Sequence, residues 1–173
     1  MSSDMSRLTF RGLTFRVLTF RFLAIAGAIA FAAGMASAET AGTITVENVW
    51  SRTVPDGSEV AVGYLTIRND GDEPDRLVSA SAPFAGETEM HQTTMTDGVM
   101  QMRPVSEGVP VPAKSTVKLE PGSYHLMFMR LTEPIKEGDA LPLKLTFERS
   151  GSVEATIKVL GIGAQGPAAG PQD

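Results

Sequence analysis

Histidine and methionine are the residues in this sequence whose types and spacing could do unusual chemistry. Residues 123–131 read SYHLMFMRL. On a strand, where successive side chains alternate faces, Tyr124, Leu126 and Phe128 fall on one side, and Ser123, His125, Met127 and Met129 on the other. The first face is ordinary core, while the second is a row of imidazole and thioether. Three of the nine methionines, Met1, Met5 and Met35, lie near the amino terminus; the other six, Met90, Met95, Met100, Met102, Met127 and Met129, share a window of 40 residues with both histidines, His91 and His125. Core filler would be scattered over the whole chain.

The segment MHQTTMTDGVMQM tests whether these groups converge. A four-residue loop Met95 to Gly98 pairs Thr94 with Val99 and sets His91 directly opposite Met102. A two-residue Asp97-Gly98 turn shifts the register by two and still leaves both on one face. Only an odd-length loop separates them. His125 and Met127 lie about 6.6 Å apart along one strand face, at about 3.3 Å per residue, a gap that long side chains can close on a shared ion.

Two imidazoles and two thioethers make a neutral, soft-to-borderline donor set. Zinc prefers cysteine, histidine and acids, and calcium and magnesium prefer oxygen, so His91, Met102, His125 and Met127 point to copper, chiefly Cu(I). Taken singly, Met95, Met100 and Met129 read as packing residues, because methionine is a flexible space filler. Met90 alternates away from His91 into the core, and Trp50 and Tyr64 read as core aromatics. Asp56, Glu87, Glu89 and Asp97 read as turn and surface acids.

The elements that must position these side chains are strands. Stretches rich in Val, Ile, Thr, Leu and Tyr recur near residues 43–50, 60–68, 75–81, 87–94, 99–104, 115–120, 123–131, 141–148 and 152–160. Between them stand turn signals: Pro55-Asp56-Gly57, Asn69-Asp70-Gly71, Asp97-Gly98, Pro121-Gly122 and Glu137-Gly138-Asp139. No stretch sustains a 3.6-residue period over helical length. The expectation is an all-β antiparallel sandwich or Greek-key barrel over residues 39–160.

Composition narrows the chemistry further. The chain has no cysteine, which excludes disulfides, thiolate nucleophiles, zinc-cysteine and iron-sulfur sites, and the thiolate-dependent blue-copper centre. Arg7, Arg11, Arg16 and Arg21, in a segment that repeats LTFRG, LTFRV and LTFRF, precede an apolar run from Phe22 to Met35 and the small-x-small triplet Ala36-Ser37-Ala38. That order predicts a secretory signal peptide over residues 1–38, cleaved after Ala38, with export to a bacterial periplasm; the run is short of the ~20 residues of a membrane span. Residues 1–38 hold four of the 15 basic and one of the 20 acidic residues, so the remainder carries a net charge of −8. Nucleic acid and anionic lipid are unsuitable partners for such a surface. The end, GIGAQGPAAGPQD over residues 161–173, is expected to be a disordered tail.

At the His/Met quartet the sequence resembles the periplasmic copper chaperone family PCu(A)C, whose motif runs His, ten residues, Met, twenty-one residues, His-x-Met. His91 and Met102 keep the ten-residue gap and His125-Leu126-Met127 supplies the ending; the middle gap is twenty-two residues, with the extra one placed in the Ser106 to Ala113 loop, SEGVPVPA. The blocks VWSRTVPDG, GYLTIRNDGDEPDRLVSASAP, MHQTTMTDGVMQMRPV and LEPGSYHLMFMRL extend the likeness from Val49 to Leu160. The resemblance implies a cupredoxin-like β-barrel without the cupredoxin cysteine, binding Cu(I) near its surface. It further implies delivery of copper to respiratory haem-copper oxidases, especially the copper-A centre, alongside Sco-type assembly proteins. The alternatives are a copper-buffering protein and, less consistent with the absence of an activated nucleophile or acid–base pair, a copper-dependent redox enzyme.

Overall fold

The computed structural model describes residues 39–167; the expected signal peptide and its cleavage site, and residues 168–173 of the expected tail, lie outside the described residues. Among the described residues there are eleven strands and no helix: β1 (Glu39–Ala41), β2 (Ile44–Arg52), β3 (Val60–Asn69), β4 (Asp75–Ser81), β5 (Ala85–Thr96), β6 (Val99–Pro104), β7 (Val109–Val111), β8 (Ser115–Leu119), β9 (Tyr124–Leu131), β10 (Ala140–Phe147) and β11 (Gly151–Leu160). Their hydrogen-bonded order is β6-β5-β9-β8-β3-β2-β11-β10-β4-β7, with β1 added on β2 and a further pairing between β3 and β9. The all-β expectation holds, and the fold is cupredoxin-like.

The sheet is not wholly antiparallel, which corrects one part of that expectation. β11 runs parallel to β2, with Lys158 opposite Trp50, and β8 meets β9 in parallel at Leu119 and Tyr124. The second case has a simple origin. β8 pairs with Leu65–Asn69 of β3 and β9 with Val60–Gly63 of the same strand, both antiparallel. Two strands that share one edge of β3 in succession must run parallel where they meet.

The core lies on one face of this curled sheet. Ile44, Val46, Leu65, Ile67, Leu77, Leu126, Phe128, Leu143, Leu145 and Ile157 are all buried in it. Strand alternation accounts for the pattern in β9, where Leu126 and Phe128 point inward and His125, Met127 and Met129 outward. Met90 is buried with them, as expected. In β2 the alternation is interrupted: the register with β3 shifts between Glu47 and Trp50, and Asn48 has a φ of 52°. A bulge of this kind re-aims the residues beyond it. Trp50 therefore lies opposite Tyr64 on the outer face, the rings 4.6 Å apart with the Arg52 guanidinium over both. Both aromatics are buried, as expected, but outside the main core. Arg52 also donates from Nε to the Ala164 carbonyl, at 2.7 Å, which places part of the 161–167 segment near these rings.

Two strands escaped the sequence pattern. β1 has three residues, and β7, VPV, lies within the stretch read as the Ser106 to Ala113 loop. Its central Pro110 cannot donate to a ladder, yet β7 ends the strand order and pairs with β4 alone, the position in which proline is tolerated. Val109 and Val111 flank it, fully buried.

β9 is held against β3 by a fitted contact. Gly63 lies opposite Leu126, and a Cβ at that position would stand 2.6 Å from Cε2 of Phe128. The Phe128 ring, which also packs 5.0 Å from Phe84, occupies the space that the missing side chain leaves. Gly63→Ala is expected to destabilise the protein by about 1–3 kcal/mol through overpacking. Urea unfolding measures it, and an unchanged midpoint would mean that β9 shifts freely.

Candidate metal centre

β5, β9 and β6 build the candidate site on the outer face. β5 and β9 pair antiparallel with His91 directly opposite His125 and Glu89 opposite Met127. The β5–β6 hairpin closes through the two-residue turn Asp97-Gly98, whose φ values of 51° and 78° are both positive, as the I′ hairpin turn requires. The resulting register puts Pro104 opposite His91 and Met102 opposite Thr93. Of the two even-length loops considered from sequence, the shorter one forms. Met102 is thus a diagonal neighbour of His91, and His91, Met102, His125 and Met127 share one face of three adjacent strands.

The two imidazole rings stand with centroids 6.0 Å apart and planes at 41°. At metal–nitrogen bonds of about 2 Å, that separation lets both rings reach a common ion. Met127 is half-buried and Met102 is 52% exposed, so one thioether sits within the sheet and the other at its edge.

Hydrogen bonding fixes which ring nitrogens are available. His125 Nδ1 lies 3.1 Å from the Ser123 carbonyl oxygen. A carbonyl only accepts, so Nδ1 carries the proton and Nε2 holds a bare lone pair. His91 Nε2 lies 2.8 Å from Glu89 Oε2. The carboxylate accepts from Nε2–H, which leaves Nδ1 as the lone-pair atom. His91 Nδ1 and His125 Nε2 are the two buried side-chain polar atoms without a hydrogen-bond partner among the described residues. Buried polar atoms are nearly always satisfied, and two orphans on neighbouring rings are an arrangement that a cation would complete.

Glu89 is a surface acid as expected, 38% exposed in its side chain, but with a partner that the sequence reading missed, the His91 ring. It lies on the site face, and its carboxyl is held below the usual range, first by the hydrogen bond from His91. Its spacing two residues before His91 on a strand is the signal that could have found it, since i and i+2 share a face. Glu87 does behave as a surface acid, paired with Arg130 at 2.8 Å. Asp97 takes its expected place in the turn.

Burial pushes the His125 imidazole below its usual range, against the hydrogen bond to Ser123, and the neighbouring His91 adds to the depression. The ring, 4% exposed, is thus held neutral.

A family model described as "Putative lipoprotein LpqE-like" matches residues 44–159. The chain belongs to this LpqE-like family. This LpqE-like chain is 28% identical over 128 residues to "Putative lipoprotein Lxx21020" of Leifsonia xyli subsp. xyli, spanning 72% of this chain and 76% of that one. Among solved structures it is similar to the apo PCuAC domain from PmoF1, at 26% identity and a TM-score of 0.62 over 72% of this chain and 99% of that one. DR1885 of Deinococcus radiodurans, solved in its apo form, is 27% identical with a TM-score of 0.54, over 88% of this chain and 98% of that one. Its CuI form aligns at 24% identity and a TM-score of 0.56, over 76% and 85%. The LpqE-like description differs from the family name that the His/Met motif suggested, whereas the PmoF1 domain carries that name.

Two outcomes follow from the site's proton arrangement. The unfolded chain protonates His125 near its ordinary value of 6.5, while the folded chain does so only at lower pH. Stability is therefore full above about 6.5 and declines as pH falls from there through the folded value. The depressed carboxyls of Glu89 and Asp75 enter only below their ordinary 4.5 and 3.8. Urea unfolding of the metal-free protein at about pH 7.5 and about pH 5 should show this decline, and His125→Leu should remove most of it. An equal decline in the variant would place the titrating group elsewhere. Separately, Glu89→Ala should release His91 into a mixture of tautomers in ring nitrogen NMR, while Glu89→Gln, which keeps an acceptor, should hold the Nε2–H form.

Proposed function

We propose that the protein is a copper chaperone that holds one Cu(I) between His91, His125, Met127 and Met102 and passes it on in the bacterial periplasm. The observation that carries this reading is the pair of bare, buried lone pairs, His91 Nδ1 and His125 Nε2, on rings 6.0 Å apart. Two thioethers on the same face complete a set that suits a soft monovalent ion better than zinc or a hard cation. The description of the Deinococcus protein as a CuI form supports the choice of metal.

Transfer rather than catalysis fits the distribution of exposure. His125 is enclosed, while Met102 sits on the edge strand β6 with half its surface open. An incoming ligand can displace the Met102 sulfur first and reach the ion without unfolding the sheet. The neutral site binds through exchangeable donors, and its one carboxylate is engaged with His91 as an orienting partner. We assign the chain no enzymatic role. Its recipient, by the same reading, is the copper-bearing subunit of a haem-copper oxidase, with a Sco-type protein as a partner in assembly.

Anaerobic Cu(I) titration against a competing chelator, followed by X-ray absorption, tests the site. One tightly held Cu(I) with mixed nitrogen and sulfur ligation is expected, and a shell of nitrogen and oxygen alone would sink the proposal. Met127→Leu preserves volume and should weaken Cu(I) far more than Cu(II), because the thioether is the soft donor. Glu89→Ala should lower Cu(I) affinity by about 10- to 100-fold, the usual effect of removing a carboxylate behind a ligating histidine. Transfer to the oxidase subunit should proceed from the wild-type protein and fail from His91→Ala.

A further inference from the structure

Four of the exposed large hydrophobic side chains belong to one hairpin: Met95 at 65%, Met100 at 64%, Val99 at 59% and Met102 at 52%. They are not one apolar patch. Strand alternation puts Met95 with His91 and Thr93 on the outer face of β5, and Met100 with Met102 and Pro104 on the outer face of β6. Val99 goes to the opposite face with Gln101 and Arg103. Toward the tip of the hairpin, beyond Met102, the exposed large apolar side chains of the outer face are the thioethers of Met95 and Met100.

Register brings two of them together. The two-residue turn makes Met95 and Met100 direct cross-strand partners, one pair from the tip, and such partners have Cβ atoms about 4.5–5.5 Å apart. Met102 is the diagonal neighbour of Met95 and opposite Thr93. Three thioethers thus lead from the hairpin tip to His91. Burial does not explain the outer pair, since both side chains stand nearly two-thirds exposed with no core beneath them. An exposed methionine gives little to packing, but its sulfur is a soft ligand.

We propose that Met95 and Met100 form a second, weaker, sulfur-only Cu(I) site, an outer station from which the ion passes by way of Met102 to the histidine pair and back out. The proposal rests on the chaperone reading of the inner site. Thioethers are neutral and bind without losing a proton, so each move is a ligand exchange in which one sulfur–copper bond forms as another breaks and no electron is transferred. The absence of imidazole from the station makes it the weaker site, which is what loading and release at the edge require.

The test uses the full protein and Cu(I) alone, under strict anaerobic conditions, with a weak competing chelator. Wild type should take up a second equivalent after the first, and difference X-ray absorption should show sulfur ligation only for that ion. Met95→Leu, Met100→Leu, in which both exposed positions keep their size, should lose the second equivalent, keep the first, and slow transfer to an acceptor chelator. A wild type that stops at one equivalent with nitrogen among its ligands, or a double variant that still binds two, overturns the station. Loss of a nitrogen-ligated first equivalent in the double variant also overturns it, because the four methionines would then serve a single site. If instead wild type binds one sulfur-only ion that the double variant loses, the station stands and the histidine-centred reading fails.

Discussion

The pairing of β5 with β9 is the constraint on which the candidate site depends. Burying Met90 on one strand and Leu126 and Phe128 on the other fixes which residues point inward, and a period of two then dictates that His91, His125 and Met127 point outward. A slip of β9 by one residue would send His125 into the core and expose Phe128, which the hydrophobic term opposes by roughly 1.5–3 kcal/mol for that side chain alone. The site's geometry is therefore specified by the core behind it. Gly63, by making room for Phe128, belongs to the same specification.

On that frame the electrostatics are divided between the two rings. His125 is kept neutral by burial and oriented by a backbone carbonyl, which cannot change its identity with protonation. His91 is oriented by a carboxylate that is itself 38% exposed in its side chain. Both devices leave a lone pair facing away from the hydrogen bond. One ring is fixed by the fold and the other by a side chain that solvent can reach, so the two halves of the site respond differently to substitution: the backbone partner of His125 cannot be removed by changing a side chain, whereas the partner of His91 can.

What the sequence disclosed follows from what has a short-range signature. The strands of β3, β4, β6 and β9 were legible because alternation and glycine-bearing turns lie in the chain itself, and His91, Met102, His125 and Met127 were legible as one face for the same reason. β7 was not, because three residues around Pro110 carry no period and become a strand only when β4 offers an edge. The parallel meeting of β8 and β9 was hidden because it depends on both sharing β3. Trp50 reads as core by type, yet the bulge at Asn48 turns it outward, and a bulge leaves little trace in sequence. Glu89 was read as a surface acid, which it is, but its hydrogen bond to His91 exists only once the rotamers of both are set.

The orphaned nitrogens give the candidate site an energetic cost of its own. A buried acceptor without a partner costs about 1–3 kcal/mol, and two of them, on His91 and His125, are a sizeable fraction of the 5–15 kcal/mol that ordinarily separates folded from unfolded. Leucine at either position would remove that penalty and pack better. The chain instead carries the penalty in its metal-free form and, on the proposed reading, would recover it on binding, because any ion that binds the folded state alone stabilises it in proportion to the logarithm of its excess over Kd. On the proposed reading the coupling works toward retention: the loaded sheet would be firmer, and departure of the ion past the open edge at Met102 would return the strands to the less favourable arrangement. That cost opposes unassisted loss, so release would require incoming ligands from a recipient that offset it. The unsatisfied lone pairs that destabilise the empty protein would thus hold the cargo until such ligands take it.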